Sequence, residues 1–313
     1  MRAVQIIRVQ PEPMLAEADV PVPAPREGEV LIRVHAAGVT PTELLWSPTT
    51  QNKDGSPRNR AIPGHEFSGV VAALGKEIKD FSIGDEVFGM NDWFVDGATA
   101  DYCTAPATSL AHKPKCLTHA EAAAVPIGAL TAWQGLNDHA KLQAWERILV
   151  HGGAGAVGTF CIQLARHRGA KVIATASTRN VGFVSRIGAD QVIDYAMDAF
   201  DRIVRGVDVV FDTVGGETLR RSWSVLKPGG RLVTVAADSE NTNDAREKKA
   251  FFIVEPNHKQ LTEIGEMLES GQLRVFVDEE VPFSSAAAAY NRETKRSRGY
   301  GKTVIVMPVT ESR

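Results

Sequence analysis

Cysteine is scarce in this chain: Cys103, Cys116 and Cys161 are the only three in 313 residues. At those spacings they form neither a disulfide framework nor a C-x-x-C pair, which excludes a cross-linked secreted scaffold and a four-cysteine metal lobe. No apolar run reaches the ~18 residues that a membrane-spanning helix needs. The opening stretch, MRAVQIIRVQ, alternates apolar and polar residues and has neither the apolar centre nor the small-residue cleavage site of a secretory signal. A reducing cytoplasm is therefore the expected compartment. Charge of neither sign dominates: the formal net charge is −3, which gives no electrostatic reason to expect nucleic acid or an anionic membrane as partner. What remains is ordinary for a globular protein, 43% hydrophobic and 23% charged, with length for two domains that each bury a core.

One further absence is local. Between Gly158 and Gly188 there is no Asp or Glu, and this stretch adjoins the segment around which the chain is organised. Ile148-Leu149-Val150 reads as a short buried parallel strand. Gly153-Ala154-Gly155-Ala156-Val157-Gly158 follows at once and fits G-x-G-x-x-G. Phe160, Ile162, Leu164 and Ala165 then recur at helical spacing, Gly169 closes the helix, and Val172-Ile173-Ala174 is the next strand. In that context the glycines give a tight turn, let the backbone approach a pyrophosphate, and let the helix pack on the strand. The free N–H groups and positive dipole end of the helix would hold the diphosphate. An NAD site usually places an acid about 20 residues past the first glycine to hold the ribose 2′-hydroxyl. Here the second strand ends in Ala176-Ser177-Thr178-Arg179 instead. Two hydroxyls and a guanidinium suit a 2′-phosphate, so the expected cofactor is NADPH.

Before this segment, residues 1 to about 122 read as short strands and turns of a barrel-like β domain, with Met1–Val9 and Glu29–Ala36 alternating in the manner of half-buried strands. Thr118-His119-Ala120-Glu121 fits a capping box and starts a helix. Pro126-Ile127-Gly128 is expected to interrupt it, with Ala129 to His139 resuming. After the glycine-rich turn, strands are expected at residues 191–195, 207–212, 231–235 and 251–254, completing a doubly wound parallel sheet of about six. His258 to Glu269 reads as an amphipathic helix, and the chain ends in a strand at Thr303–Met307, placed back on the first domain. The expected division is thus 1–122, completed by 273–313, and 123–272.

Six short motifs, in order, now identify a family resemblance. They are Gly28-Glu29-Val30-Leu31-Ile32 with Ala36-Ala37-Gly38-Val39, Pro63-Gly64-His65-Glu66-Phe67-Ser68-Gly69-Val70-Val71, Ala129-Leu130-Thr131-Ala132-Trp133, Val150 through Gly158, Ile187-Gly188-Ala189-Asp190, and Asp212-Thr213-Val214-Gly215-Gly216. The chain resembles the medium-chain dehydrogenase/reductase superfamily, in its zinc-independent quinone oxidoreductase (zeta-crystallin-like) branch. The resemblance implies an α/β fold in which a GroES-like β-barrel catalytic domain joins a Rossmann NADPH-binding domain, with the cofactor in the cleft between them. It also implies a homodimer paired through the edge strand at Phe251–Val254.

The zinc branch of that superfamily uses a His-Glu pair like His65-Glu66. A catalytic zinc needs three protein ligands and an open position. Where the zinc branch supplies a cysteine this chain has Thr40, and near its later ligand this chain has Pro126-Ile127-Gly128. A threonine hydroxyl is a poor replacement for a thiolate, so no metal is expected; His65 reads as a satisfied polar residue and Glu66 as a hydrogen-bond acceptor. Without a Lewis acid, alcohol oxidation loses its support, whereas hydride transfer to a conjugated acceptor needs mainly orientation and a dry site. The expected reaction is reduction of a quinone or an α,β-unsaturated carbonyl.

By resemblance, Gly153 and the backbone of Ala154, Gly155, Ala156 and Val157 meet the pyrophosphate. Ser177, Thr178 and Arg179 take the 2′-phosphate. Tyr195 packs on the adenosine half, Val214 and Ala236 line the cleft, and Phe252 to Val254 meet the nicotinamide end. Thr131 lies near the carboxamide, and Thr40 stands at the substrate mouth, able to hydrogen-bond the acceptor or the ribose. Core packing would explain Tyr195 and Phe252 equally well. Arg298 and Lys302 either complete the phosphate site or form a solvated tail with Lys295 and Arg296. The loop Asn91 to Asp96 is expected to cap the substrate pocket. Three other classes stay open: a zinc-dependent alcohol dehydrogenase with an unusual ligand set, an enoyl-thioester reductase, and a non-catalytic NADPH-binding protein.

Overall fold

The computed structural model describes residues 1–8, 14–294 and 297–308. Two sheets organise the chain. The first is parallel, with strands in the spatial order Gln191–Asp194, Lys171–Ala176, Arg147–Val150, Val207–Asp212 and Leu226–Thr234. Its central strands are mostly apolar because helices cover both faces: Ile148, Leu149, Val150, Val209, Val210 and Phe211 are completely buried. One of those helices, Ala156–His167, buries Phe160, Cys161, Ile162, Leu164 and Ala165 against the sheet. Gly169, at φ +80°, turns the chain into the next strand.

The sheet has five strands rather than the six expected. The segment 251–254 makes a single parallel bridge, Phe251 opposite Thr234, and then leaves the ladder. Side chains from elsewhere take its backbone groups. The Val254 carbonyl accepts from Trp93 Nε1 at 3.0 Å, and Gln134 clamps Glu255, accepting from its N–H at 3.0 Å and donating to its carbonyl at 2.8 Å. A backbone satisfied in this way has no call on a neighbouring strand.

A second correction concerns the helix ahead of the parallel sheet. The capping box forms as expected, with both Thr118 and Glu121 reaching back to the other's N–H. The break falls at Ala124-Val125, two residues earlier than expected, and Pro126 rather than Ala129 begins the next helix, Pro126–Gln134. A proline in the first turn gives up only an N–H that would have no helical partner. This helix then widens into one π-turn, Gly135–His139, closed by the Ala140 N–H on the Gly135 carbonyl at 2.9 Å. The wider turn stacks the His139 ring on Phe252, centroids 4.2 Å apart.

The second sheet follows the path Val277–Pro282, Lys302–Val306, Glu29–Gly38, Glu66–Leu74, Glu86–Met90 and Leu110–His112, with Tyr102–Pro106 also pairing with Glu29–Gly38. The C-terminal strand thus returns to the first part of the chain, antiparallel to Glu29–Gly38. Val30, Ile32, Phe67, Val71, Val87, Leu110 and Ile305 share its core. Arg2–Arg8 and Met14–Asp19 form a separate antiparallel pair. Among the described residues no helix is long and apolar enough to cross a membrane.

The two sheets meet where the chain enters its last strand. The Gly301 N–H donates to the Ala154 carbonyl at 2.9 Å, and Gly301 forms a parallel bridge with Gly155. That contact sets the glycine-rich turn beside residues of the antiparallel sheet, and the cleft lies there.

Candidate active site

The glycine-rich turn has the geometry its sequence requires. Gly152 sits at φ +73°, a conformation costly for residues with a Cβ. At Gly158 a Cβ would run into the Gly152 carbonyl, so glycine is needed for the helix to approach the turn this closely. Gly155 precedes Ala156–His167 with no side-chain cap on the helix, and Gly155, Ala156 and Val157 line the cleft at that end. Gly153 and Ala154 are buried, Ala156 and Val157 half-buried, and Gly155 exposed.

At the end of the second parallel strand Ser177 is half-buried, while Thr178 and Arg179 are exposed. The Arg179 guanidinium lies on Gly299, where any Cβ would overlap it. Asn180 fixes the same corner, its Nδ2 donating to the Gly299 carbonyl at 2.9 Å. The N–H groups of Arg298 and Gly299 both donate to Asp278 Oδ1, at 2.8 and 2.6 Å. Arg298 is exposed beside Arg179's neighbour, so two guanidinium-bearing residues share this corner. Lys295 and Arg296 lie outside the described residues.

Further along the strand ends, Val214 is 54% exposed and Ala236 is buried. Val214 is presented by a turn that Asp212 holds: the carboxylate accepts from the N–H groups of Val214 and Gly215 and from the Thr234 hydroxyl. Burial raises the Asp212 pKa above the usual carboxylate value, against those three donors. Tyr195 is 61% exposed, so its ring is not core. Phe252 is buried with its ring stacked on His139, and Val254 is buried with its carbonyl on Trp93. Thr131 is buried within Pro126–Gln134.

The opposite wall carries a group the sequence left unplaced. Lys302 is 5% exposed, which corrects the solvated-tail reading of this residue. Its Nζ donates to Thr40 Oγ1 at 2.6 Å and forms an ion pair with Glu66 Oε1. Glu66 Oε2 accepts from the Ile127 N–H at 2.9 Å. Burial pushes the Glu66 pKa up, and the Lys302 charge opposes that rise. Thr40, Lys302, Ile127, Val157 and Thr213 line a cleft of about 350 Å³ with the glycine-rich turn.

Behind this wall His65 is completely enclosed. Its Nδ1 lies 2.6 Å from Glu43 Oε2 and its Nε2 3.1 Å from the Val95 carbonyl. Glu43 also accepts from the Gly64 N–H at 3.0 Å. Sequence reading missed Glu43, since an isolated acid in Pro41-Thr42-Glu43 carries no spacing signal. The loop expected to cap the pocket is instead pinned by Trp93, whose ring is buried edge-on to Trp46 at 4.6 Å and 4.9 Å from His65. Thr40, His65 and Glu66, the positions comparable with a metal site, spend their polar atoms on Lys302, Glu43, Val95 and Ile127. Among the described residues no group of three or more His, Cys, Asp or Glu side chains is arranged to hold a metal ion.

The alcohol dehydrogenase GroES-like domain family matches residues 26–115, and the zinc-binding dehydrogenase family matches residues 187–305. The 2-methylene-furan-3-one reductase of Solanum lycopersicum is 34% identical over 305 residues, 94% of this chain and 75% of that protein. The chloroplastic NADPH-dependent alkenal/one oxidoreductase of Arabidopsis thaliana is 33% identical over 304 residues, again 94% of this chain and 75% of that one. Among solved structures, the quinone oxidoreductase from Coxiella burnetii superposes with a TM-score of 0.86 at 30% identity, covering 98% of this chain and 99% of its own.

Proposed function

From the premise that this chain belongs to the medium-chain dehydrogenase/reductase superfamily, with the quinone and enone oxidoreductases, we propose that it reduces a quinone or an α,β-unsaturated carbonyl with NADPH. It is an oxidoreductase of that kind. The observation that carries the reading is the cleft itself: an uncapped helix N-terminus on one wall faces a hydroxyl and a buried ammonium, Thr40 and Lys302, on the other.

The residues present fit the cofactor. When bound, the reduced nicotinamide supplies a hydride. The first-turn N–H groups around Gly155, Ala156 and Val157 hold the diphosphate. Ser177, Thr178, Arg179 and Arg298 form the corner for the 2′-phosphate, where donors and positive charge are needed and no acid stands at the end of the strand. Val214 and Ala236 flank the cofactor at the strand ends, and Tyr195 offers an exposed ring to the adenosine side. Thr131 and the segment Phe252 to Val254 shape the nicotinamide end through packing. Thr40 hydrogen-bonds the acceptor oxygen. The fully used polar atoms of His65 and Glu66 leave the acceptor to be polarised by hydrogen bonding.

A homodimer is proposed through the edge of the parallel sheet at Phe251–Val254, where Phe251 bridges to Thr234 of strand Leu226–Thr234; sedimentation velocity tests it. A reducing compartment such as the cytoplasm suits the free Cys103, Cys116 and Cys161.

The test is oxidation of NADPH and NADH by chelator-treated protein with 1,4-benzoquinone, 9,10-phenanthrenequinone and an alkenal, beside oxidation of a primary alcohol with NADP. Faster consumption of NADPH than NADH, untouched by chelator, supports the reading, and the acceptor ranking selects quinone or enone. Chelator-sensitive alcohol oxidation as the main activity would overturn it.

A further inference from the structure

Resting on that reading, we infer that Lys302 and Thr40 form a two-residue proton relay that charges the acceptor oxygen with a proton as hydride arrives. Thr40 touches the acceptor and is the catalytic member; Lys302 acts through it. The geometry fixes the direction. Lys302 Nζ has only donors, so at 2.6 Å the Thr40 oxygen must accept. The Thr40 hydrogen is then free for another acceptor, and Thr40 lines the cleft facing the glycine-rich turn. Glu66, itself held by the Ile127 N–H, anchors the ammonium from behind. A charge buried this deeply has to be paired, yet Lys302 gives one of its N–H bonds to a neutral hydroxyl at the cleft wall. The ammonium carries three N–H donors, and Thr40 takes one that Glu66 Oε1 does not.

The step balances. Hydride adds to the β-carbon of an enone, and the C=C electron pair moves through the carbonyl onto oxygen. The Thr40 O–H bond breaks as that oxygen gains its hydrogen. An N–H bond of Lys302 breaks in turn to restore the Thr40 hydroxyl, leaving an amine that regains a proton from water through the cleft. The acceptor gains one hydride and one proton; the enol from an enone then tautomerises in water to the saturated carbonyl, and the adduct of a quinone loses its sp3 ring C–H proton to water as the second oxygen gains one, giving the hydroquinone. No other reactant is consumed.

The test uses the full chain with Thr40→Val, Thr40→Ser and Lys302→Arg. Thr40→Val keeps the volume and leaves the Lys302–Glu66 pair in place, but takes one acceptor from a buried N–H, so its melting temperature is measured beside its kcat. Its kcat is expected to fall about 100-fold, the lower range for a positioned proton donor, with NADPH affinity unchanged by fluorescence titration. Thr40→Ser retains most of the activity. Lys302→Arg keeps the charge and the pairing with Glu66 but holds its proton too tightly to pass it on, so kcat falls while NADPH still binds. A second readout needs no turnover: 4-nitrophenolate, a stand-in for the charged oxygen, binds at least about tenfold more weakly to Thr40→Val, as expected for losing a hydrogen bond to a charged group. Unchanged kcat and phenolate affinity in Thr40→Val would overturn the relay, and full activity in Lys302→Arg would overturn the proton transfer. Loss of all acceptor reduction in the unsubstituted chain would instead overturn the hydride-transfer reading, and the relay with it.

Discussion

The indole N–H of Trp93 donates to the Val254 carbonyl at 3.0 Å, a buried hydrogen bond joining residues 161 positions apart. It ties a loop beside His65 to the segment that leaves the parallel sheet at Phe251. Trp93→Phe keeps a ring in the space and removes the donor, leaving the carbonyl unpaired. A loss of about 1–3 kcal/mol is expected, the penalty for a buried acceptor without its partner. Urea denaturation measures it, and an unchanged midpoint would show that the tie contributes nothing. A rise in acceptor KM should accompany the loss, because the same side chain packs on Trp46 and His65.

Stability should fall in acid through histidines held neutral. His119 Nδ1 donates to the Ser68 hydroxyl at 2.8 Å, which itself donates to the Val87 carbonyl. Burial pushes the His119 pKa down to about 4; the neighbouring charges of His35 and Lys113 add to the shift, and Glu86 opposes it. His151, enclosed between the Thr175 and Ser222 hydroxyls, is pushed by burial to about 3, with Arg221 adding to the shift. The unfolded chain, with histidines near 6.5, binds more protons than the folded one below that pH. The stabilisation is therefore complete above about 6.5 and is lost as pH falls through 6.5 toward 4 and then 3. Melting temperature measured across this range should decline, and more shallowly in His119→Gln. Identical slopes in the two proteins would remove His119 from the account.

The glycine-rich turn could be read directly because all its determinants lie within a few neighbouring residues: a strand, three glycines and a helix. The capping box at Thr118 is local in the same way. The missing sixth strand was not legible. Phe251-Phe252-Ile253-Val254 has the composition of a buried strand, but its far end is held at Val254 and Glu255 by Trp93 and Gln134, 161 and 121 residues away in sequence. The same holds for the active-site wall. Thr40 and Lys302 are separated by 262 positions, and a lysine in a basic stretch looks solvated until the last strand carries it inward. Glu43 is invisible for a related reason, since its meaning comes entirely from His65 across a turn.

Gly135 sets two opposing effects against each other. Alanine is ordinarily favoured over glycine in a helix by about 1 kcal/mol. At Gly135, however, a Cβ would overlap the Phe211 ring and press on Phe252. Phe211 is completely buried in the central strand and cannot move aside. Overpacking of this kind costs about 1–3 kcal/mol, so Gly135→Ala is expected to be destabilised on balance. Thermal melting decides between the effects, and a raised melting temperature would mean that the ring yields.

The sharpest discrimination should come from Arg179. Its guanidinium is exposed and rests on Gly299, so it contributes little to folding, and Arg179→Ala should melt as the unsubstituted chain does. Losing a charge-assisted contact to the 2′-phosphate costs about 1.5–3 kcal/mol, or roughly 10- to 150-fold in NADPH affinity. NADH lacks that phosphate, and its affinity should stay where it was. Gly299→Ala approaches the same corner from the other side. Gly299 has φ +75° and no room for a Cβ against the guanidinium, so an added methyl must displace Arg179. It should then weaken NADPH in the same direction while also costing stability. Titration of both variants with both cofactors separates the possibilities. An equal loss for NADPH and NADH would place Arg179 on the part the two cofactors share, and the absent acid between Gly158 and Gly188 would no longer suffice to argue for the phosphorylated form.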